Sequence, residues 1–228
     1  MNRLLAGSLK RMMIVMSVSA SANALSENIQ IVGVGGHLVT LKDKTWGRPA
    51  AESAVASFTA NGKTFPLYVP EVGTETHQVW LSPDKKTLLL LQTLYGVVIG
   101  QEGEEISTEE TGCGVISMET GCVLSQHVAR FCYGKWEGNR WISGEEDVPD
   151  LVMQTPSPKE LLKLVSNIEM PQSRVEELEF NLRTISPESY MACHPPARDV
   201  QAFNDLGFHL AEGGNDALAL KLYRGIEA

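Results

Sequence analysis

The chain has 228 residues, of which 43% are hydrophobic, and such a length and composition argue against a disordered or fibrous protein. A chain of this length can bury a sizeable core as one large or two small domains. Its formal net charge of −9 argues against a general nucleic-acid binder, which normally carries a basic face, and permits attraction to a basic partner.

The N-terminus has the order of a secretory signal peptide. Three basic residues, Arg3, Lys10 and Arg11, precede a short apolar run at 12–20, and a small-residue cleavage motif ends at Ala24. The apolar run is too short to cross a bilayer, and no later segment is long and apolar enough to do so. The sequence therefore predicts that the first 24 residues are removed and that the mature chain is periplasmic, without a membrane span.

Strand signals dominate the next part of the chain, residues 25–150. Residues 29–41 are β-branched and contain glycines, so they predict a strand with a glycine bulge at 34–36. Asn61-Gly62 lies between two apolar runs and predicts a tight hairpin. The region is too short for the four blades that a closed propeller needs, so its hairpins predict an antiparallel meander, a small sandwich or an open barrel.

Residues 81–92 are similar in sequence to part of a propeller blade. A predicted turn at 82–85 leads into a strand with four consecutive leucines, residues 88–91. Successive side chains of a strand point to opposite faces, so this unbroken apolar run predicts a strand that is covered on both faces. The helices that follow are candidates to cover one of them. Further turns are predicted at 118–121 and 137–140.

Glutamates crowd residues 101–112, which the sequence predicts to be a loop between strands. We interpret this loop as an electronegative surface for a basic protein partner, with tryptophans of the same region as aromatic anchors. The candidate partner-binding residues are Glu102, Glu104, Glu105, Glu109, Glu110, Trp136 and Trp141. A merely solvated loop and buried tryptophans are the alternatives. A second acidic cluster lies at 145–147.

The cysteines predict disulfides. The four candidates are Cys113, Cys122, Cys132 and Cys193. Their spacing matches no zinc motif, and an even number in an oxidising compartment favours two disulfides, with three possible pairings. If both bonds form, Cys193 must bond to one of the upstream cysteines and tie the C-terminal region to the β-rich one.

Beyond residue 150 the apolar period becomes helical. Ser157 and Glu160 form a predicted capping box with Pro158 at the first helical position. Pro171 begins a second helical pattern and Pro187 interrupts it. The predicted fold class is therefore α+β: a signal peptide at 1–24, an antiparallel β-rich region at 25–150 and helical hairpins at 151–228.

The last segment resembles a single tetratricopeptide repeat over about residues 203–228. Phe203-x-x-Leu206-Gly207-x-x-Leu210 stands where the family has W-x-x-L-G-x-x-Y, and Ala219-x-x-x-Tyr223 where it has A-x-x-x-F. The resemblance implies a helical hairpin that turns at 213–214, with the small residues at the helix contact. A single repeat cannot form the concave groove of an array.

The sequence contains no motif for catalysis or for cofactor binding. The five histidines lack metal-ligand spacing, and there is no nucleophile elbow, Walker loop or dinucleotide fingerprint. Ser125 and His127 stand two residues apart, on one face of a predicted strand, a spacing that chance explains. The sequence predicts a protein that is not an enzyme and needs no cofactor or metal.

These features together are similar in type to small periplasmic immunity proteins, which neutralise antibacterial effectors. The expected function is that of an exported protein-binding module. One alternative is a cell-envelope glycan or peptidoglycan hydrolase that uses Asp and Glu. Another is an envelope assembly or scaffolding factor that uses the helical hairpin.

Overall fold

The computed structural model describes residues 28–43, 53–69, 72–99, 103–143, 155–182 and 184–227. The predicted signal peptide, Glu102 and the acidic residues 145–147 lie outside the described residues. Antiparallel strands occupy the first part of the described chain and helices the last, which confirms the predicted α+β class.

One eight-stranded antiparallel sheet forms the β-rich region. Its strands are β1 Ile29–Val32, β2 Leu38–Asp43, β3 Ser53–Ala60, β4 Lys63–Pro66, β5 Val72–Leu81, β6 Thr87–Ile99, β7 Glu105–Ser117 and β8 Val123–Val128. The spatial order follows the chain from β1 to β8, except that β4 and β5 pair with different parts of β3. The sheet is therefore a meander. A separate hairpin contains β9 Lys135–Glu137 and β10 Arg140–Ile142.

Local turn chemistry sets several of the hairpins. Asn61 and Gly62 both have positive φ, 51° and 75°, as a two-residue hairpin turn with the twist of its strands requires. At the turn between β5 and β6, the Ser82 hydroxyl donates to the Asp84 carboxylate at 2.7 Å and accepts from the Thr87 N–H at 2.9 Å. Both predicted turns are confirmed.

The prediction of a glycine bulge at 34–36 is wrong. These residues form a short 3-10 turn between β1 and β2, with φ of 67° at Gly35 and 78° at Gly36. Consecutive glycines in the left-handed region reverse the chain, so the predicted single strand becomes a hairpin. The Val34 N–H donates to the Lys85 carbonyl at 2.9 Å, and His37 Nδ1 lies 3.0 Å from the Met118 carbonyl oxygen. The β1–β2 turn thus packs on the turns of distant strands.

The sheet lies between two hydrophobic clusters, as the four leucines predict. Leu88 and Leu90 belong to the main core, which the helices share. Leu89 and Leu91 face a smaller second core on the other side, formed with Trp141 and with Cys113 and Cys132. Both faces of β6 are covered at this point.

The helical region covers the main core. Its helices are α1 Pro158–Val165, α2 Pro171–Leu182, α3 Pro187–Cys193, α4 Val200–Glu212 and α5 Asp216–Glu227. The predicted capping box is present: the Ser157 N–H donates to Glu160 Oε2 at 2.7 Å, and the Glu160 N–H to the Ser157 hydroxyl. Within the described residues, no helix is long and apolar enough to cross a membrane.

Helices α4 and α5 form the predicted C-terminal hairpin. The chain turns at Gly213 and Gly214, and the Asn215 carboxamide accepts from the Leu218 N–H at 3.0 Å. A Cβ at Gly207 would lie 2.7 Å from the Tyr223 ring, so only glycine permits this approach of the helices. That the α4–α5 hairpin is related to tetratricopeptide repeats stays a prediction.

Two disulfides are formed, Cys113–Cys132 and Cys122–Cys193, with Cα–Cα distances of 5.5 and 4.7 Å. The second ties α3 to the β7–β8 turn, as expected if Cys193 pairs upstream. Beside it, the buried Ser189 hydroxyl donates to the Gly121 carbonyl at 2.8 Å and accepts from the Val123 N–H at 3.0 Å. Two disulfides are typical of proteins that fold in an oxidising, exported environment.

Candidate functional site

The candidate site is the outer part of the β6–β7 hairpin. These two strands pair over their whole length, from Thr87 with Ser117 to Ile99 with Glu105. The neighbouring strands are shorter: β5 pairs with β6 only as far as Leu94, and β8 pairs with β7 from Gly112 onward. In the described part of the chain, residues 95–99 and 105–110 therefore form a two-stranded extension, which we call the acidic ribbon. Five residue pairs, from Tyr95 with Glu109 to Ile99 with Glu105, give it a length of about 17 Å, and Glu110 lies at its base opposite Leu94.

The prediction that residues 101–112 form a loop is wrong for most of them. Glu105, Glu109 and Glu110 lie within β7, and of the described residues in this segment only Gly103 and Glu104 lie outside the strand. The long apolar partner strand β6 provides the hydrogen-bond ladder, and pairing with it overrides the low β-propensity of glutamate. The acidic charge is therefore presented on a regular scaffold.

The ribbon carries several acidic side chains in a segment of the chain that has no basic residue. Glu104, Glu105, Glu109 and Glu110 are all exposed, and residues 87–126 contain no Lys, Arg or His. In the register, Glu105 faces Ile99 and Glu109 faces Tyr95, so the opposite strand places no acid directly across from them. Glu109 and Glu110 project to opposite faces because side chains alternate along a strand. This arrangement limits the repulsion among the glutamates.

The second core anchors the base of the ribbon. Cys113, in β7, is bonded to Cys132 and packs with Leu91 and Trp141. The Trp141 ring centroid lies 5.5 Å from that of Trp80 and 5.3 Å from that of Trp136. Since Glu109 and Cys113 are four residues apart on one strand, they share a face of β7 and are separated by about 13 Å.

The tryptophans do not form the exposed anchor that the sequence suggested. Trp141 is only 3% exposed, and its indole N–H donates to the Phe131 carbonyl at 2.9 Å. Trp136 is partly buried, and its indole nitrogen is shielded from solvent without a hydrogen-bond partner. Both rings instead support the disulfide and the sheet beneath the ribbon. That these residues and the glutamates contact a partner stays a prediction.

The structure brings Ser125 and His127 together on β8. Ser125 Oγ lies 2.9 Å from His127 Nε2, a distance at which a histidine could act as a base. Ser125 is only 2% exposed, however, which leaves no room for a substrate at its hydroxyl. Burial lowers the pKa of His127 and so favours its neutral form. We interpret the pair as a structural hydrogen bond between two side chains on β8, at the edge of the sheet.

Metal chemistry gains no support from the described residues, among which no group of three His, Cys, Asp or Glu side chains could hold a metal ion. That the protein is not an enzyme and uses no cofactor stays a prediction.

The sequence did not predict that the Tyr68 hydroxyl, in the segment that follows β4, is buried against Gly114 of the sheet. The Tyr68 hydroxyl and Gln92 Oε1 are buried without hydrogen-bond partners. A Cβ at Gly114 would lie 1.9 Å from the former and 3.4 Å from the latter. No local signal marks Gly114 as the place where a distant tyrosine packs.

Comparison with known proteins found no matching family model, no matching curated protein and no matching solved structure.

Proposed function

We propose that this protein is an exported, periplasmic protein-binding module of the immunity type, and that its acidic ribbon docks on a basic surface of the effector it neutralises. The observation that carries the proposal is the ribbon itself: four exposed glutamates on or beside a two-stranded extension, within a segment that has no basic residue. Inhibition needs a rigid complementary surface and no chemistry.

Electrostatic steering gives the ribbon a physical role. The clustered carboxylates attract a basic partner and raise the association rate, and salt screens this attraction. Among the described strands, residues 105–110 of β7 pair only with β6, so their other edge presents backbone groups that an extended partner segment could pair with. The Cys113–Cys132 bond fixes the base of the ribbon, so less conformational freedom is lost on binding.

Charge-neutral variants of the ribbon test the proposal. Replacing Glu104, Glu105, Glu109 and Glu110 by Gln should slow association with the captured partner about tenfold or more at low salt, with a smaller effect as salt rises. The melting temperature should change little, because all four side chains are exposed. Surface plasmon resonance over a salt series measures both rates.

A matched pair of variants separates local from global charge. Glu105→Gln with Glu109→Gln removes two charges from the ribbon, and Glu169→Gln with Glu176→Gln removes two exposed charges from the helical region. The proposal expects only the ribbon pair to slow association strongly. Equal rates for both double variants at low salt would make the ribbon a merely solvated feature, and the β9–β10 hairpin would be the next surface to test.

An envelope scaffolding factor is the second candidate. It is favoured by the exposed apolar side chains of the C-terminal hairpin, Phe208 on α4 and Leu220 on α5, which are 58% and 49% exposed. If this hairpin is the docking surface, Phe208→Ser with Leu220→Ser abolishes partner capture and the ribbon variants retain it. The immunity-type proposal predicts the reverse.

A further inference from the structure

The two disulfides interleave along the chain. Cys113 is bonded to Cys132, 19 residues away, and Cys122 to Cys193, 71 residues away, so Cys122 lies inside the loop that the first bond closes. Neither bond joins cysteines that are consecutive in sequence. The native pairing therefore differs from the one that forms if each cysteine bonds to the next one along the chain.

Loop closure favours the wrong pairs in the unfolded chain. Cys113 and Cys122 are nine residues apart, and Cys122 and Cys132 are ten apart. Closure probability falls roughly as the −3/2 power of loop length, so the nine-residue pair is favoured about threefold over native Cys113–Cys132. For Cys122, the pair with Cys132 is favoured about twentyfold over the native pair with Cys193.

The native hairpin cannot contain either wrong bond. The Ser117 N–H donates to the Cys122 carbonyl, which places Cys122 beside the end of β7, four residues beyond Cys113. This separation is about 13 Å along the strand, whereas bonded cysteines have Cα atoms within about 7 Å. The Cα of Cys132 lies only 5.5 Å from that of Cys113, so Cys132 is also out of bonding range of Cys122. A wrong bond must therefore break before the sheet forms.

Burial of the cysteines prevents the exchange of wrong disulfides after the chain has folded. Cys113 and Cys132 are 0% exposed, and Cys122 and Cys193 are also buried. Once the second core and α3 have packed, an external thiolate reaches none of these sulfurs without local unfolding. Exchange must take place while the chain is still open.

From the interleaved pairing we infer that this chain is a folding substrate of a thiol–disulfide isomerase. The isomerase thiolate attacks one sulfur of a wrong bond, forms a mixed disulfide and releases the other cysteine as a thiolate. A thiolate of the chain then attacks the mixed disulfide and restores the isomerase thiolate. One bond forms for each bond broken, so reshuffling needs no net oxidant. Closing the two bonds initially removes four electrons and four protons, which two equivalents of glutathione disulfide accept.

Oxidative refolding of the reduced full-length chain tests the inference. Diamide oxidises thiols without supplying a free thiol, whereas a mixture of reduced and oxidised glutathione with a purified disulfide isomerase permits exchange. After acid quenching and peptide mapping, diamide should give mainly Cys113–Cys122 or Cys122–Cys132, with native Cys113–Cys132 in about one in seven chains. In the glutathione mixture, the native map should form severalfold faster with the isomerase than without it.

Two control variants each leave a single possible bond. Cys122→Ser with Cys193→Ser retains only Cys113 and Cys132, and Cys113→Ser with Cys132→Ser retains only Cys122 and Cys193. Both should form their single disulfide to the same extent with and without isomerase. Peptide mapping detects this covalent bond even if the variant is unstable. An equally native map for the four-cysteine chain in diamide overturns the inference. So does an isomerase requirement in the controls.

Discussion

At the scale of single residues, glycine permits contacts that the sequence pattern does not show. Gly114 lies in the middle of β7, where a glycine ordinarily weakens a strand. Here the space above it holds the Tyr68 hydroxyl, which is buried and has no partner. The hydroxyl therefore loses its hydration without the offsetting hydrogen bond that most buried tyrosines have.

This contact predicts an unusual double-mutant cycle. Gly114→Ala should lower the free energy of unfolding by about 1–3 kcal/mol, because the new methyl group overlaps the hydroxyl. Tyr68→Phe should leave stability unchanged or raise it slightly, since it removes an unsatisfied polar atom. The double variant should regain at least half of the loss. Urea unfolding followed by tryptophan fluorescence measures all four corners, and additive effects would contradict the contact.

His127 predicts a pH dependence. Burial lowers its pKa in the folded state, so below about pH 6.5 the unfolded chain binds more protons than the folded one. Stability should therefore fall as the pH falls through this range. Asp84 and Glu160, whose pKa values are also lowered, by hydrogen bonds from Ser82 and Ser157, contribute only at more acidic pH.

The His127→Gln variant isolates that dependence. It should lose less stability than the wild-type chain between about pH 7.5 and 5.5, whatever its absolute stability at neutral pH. Chemical denaturation across this range gives the slope directly. Parallel slopes for the two proteins would show that His127 titrates alike in the folded and unfolded states.

At the scale of elements, each disulfide holds a different pair of structures together. Cys113–Cys132 joins β7 to the segment after β8, and Cys122–Cys193 joins the β7–β8 turn to α3. If the bonds act mainly by restricting the unfolded chain, the longer loop gives the larger effect. Loops of 19 and 71 residues correspond to about 3 and 4.5 kcal/mol.

We therefore expect the variants with paired Ala substitutions to rank by loop length. Cys122→Ala with Cys193→Ala should be about 1 kcal/mol less stable than Cys113→Ala with Cys132→Ala. Guanidinium unfolding of both under identical conditions provides the comparison. The opposite order would mean that packing of the second core, where Cys113 and Cys132 meet Trp141, outweighs chain entropy.

Elements with local signals were predictable from the sequence. Asn61-Gly62 specified its turn through backbone conformation, and Ser157 with Glu160 specified the start of α1 through hydrogen bonds between near neighbours. Features that depend on pairing or packing with other elements were not. The strand character of residues 105–112 comes from pairing with β6, and the burial of Trp141 comes from the disulfide and Trp80. Which cysteines pair is equally a property of the assembled fold.

At the scale of the whole molecule, the two regions share one core. The main cluster contains side chains from β2, β3 and β6 together with side chains from all five helices. The Cys122–Cys193 bond crosses the same boundary. We therefore expect the strands and helices to unfold together, since neither set covers its apolar surface without the other.

The export prediction also belongs to this scale. The N-terminal signal predicts removal of residues 1–24, so the exported protein should begin at Leu25. Intact-mass measurement of protein from a periplasmic extract checks both the cleavage and the oxidation of the four cysteines. A chain that retains its first 24 residues in the cytoplasm, with four free thiols, would contradict the assignment to an oxidising compartment.

The composition of strand β6 implies a second role for the glutamates of the acidic ribbon, which is protection against aggregation. The outer residues of β6, 95–99, include no charge and no proline, and among the described strands they pair only with β7. A segment of this composition, exposed along an edge, readily pairs with another copy of itself and seeds fibrils. The glutamates of β7 lie on the strand that accompanies it and act as gatekeepers, because two such ribbons repel each other. Acid that neutralises these carboxylates would remove that protection, so the charges expected to attract a partner also keep separate molecules apart.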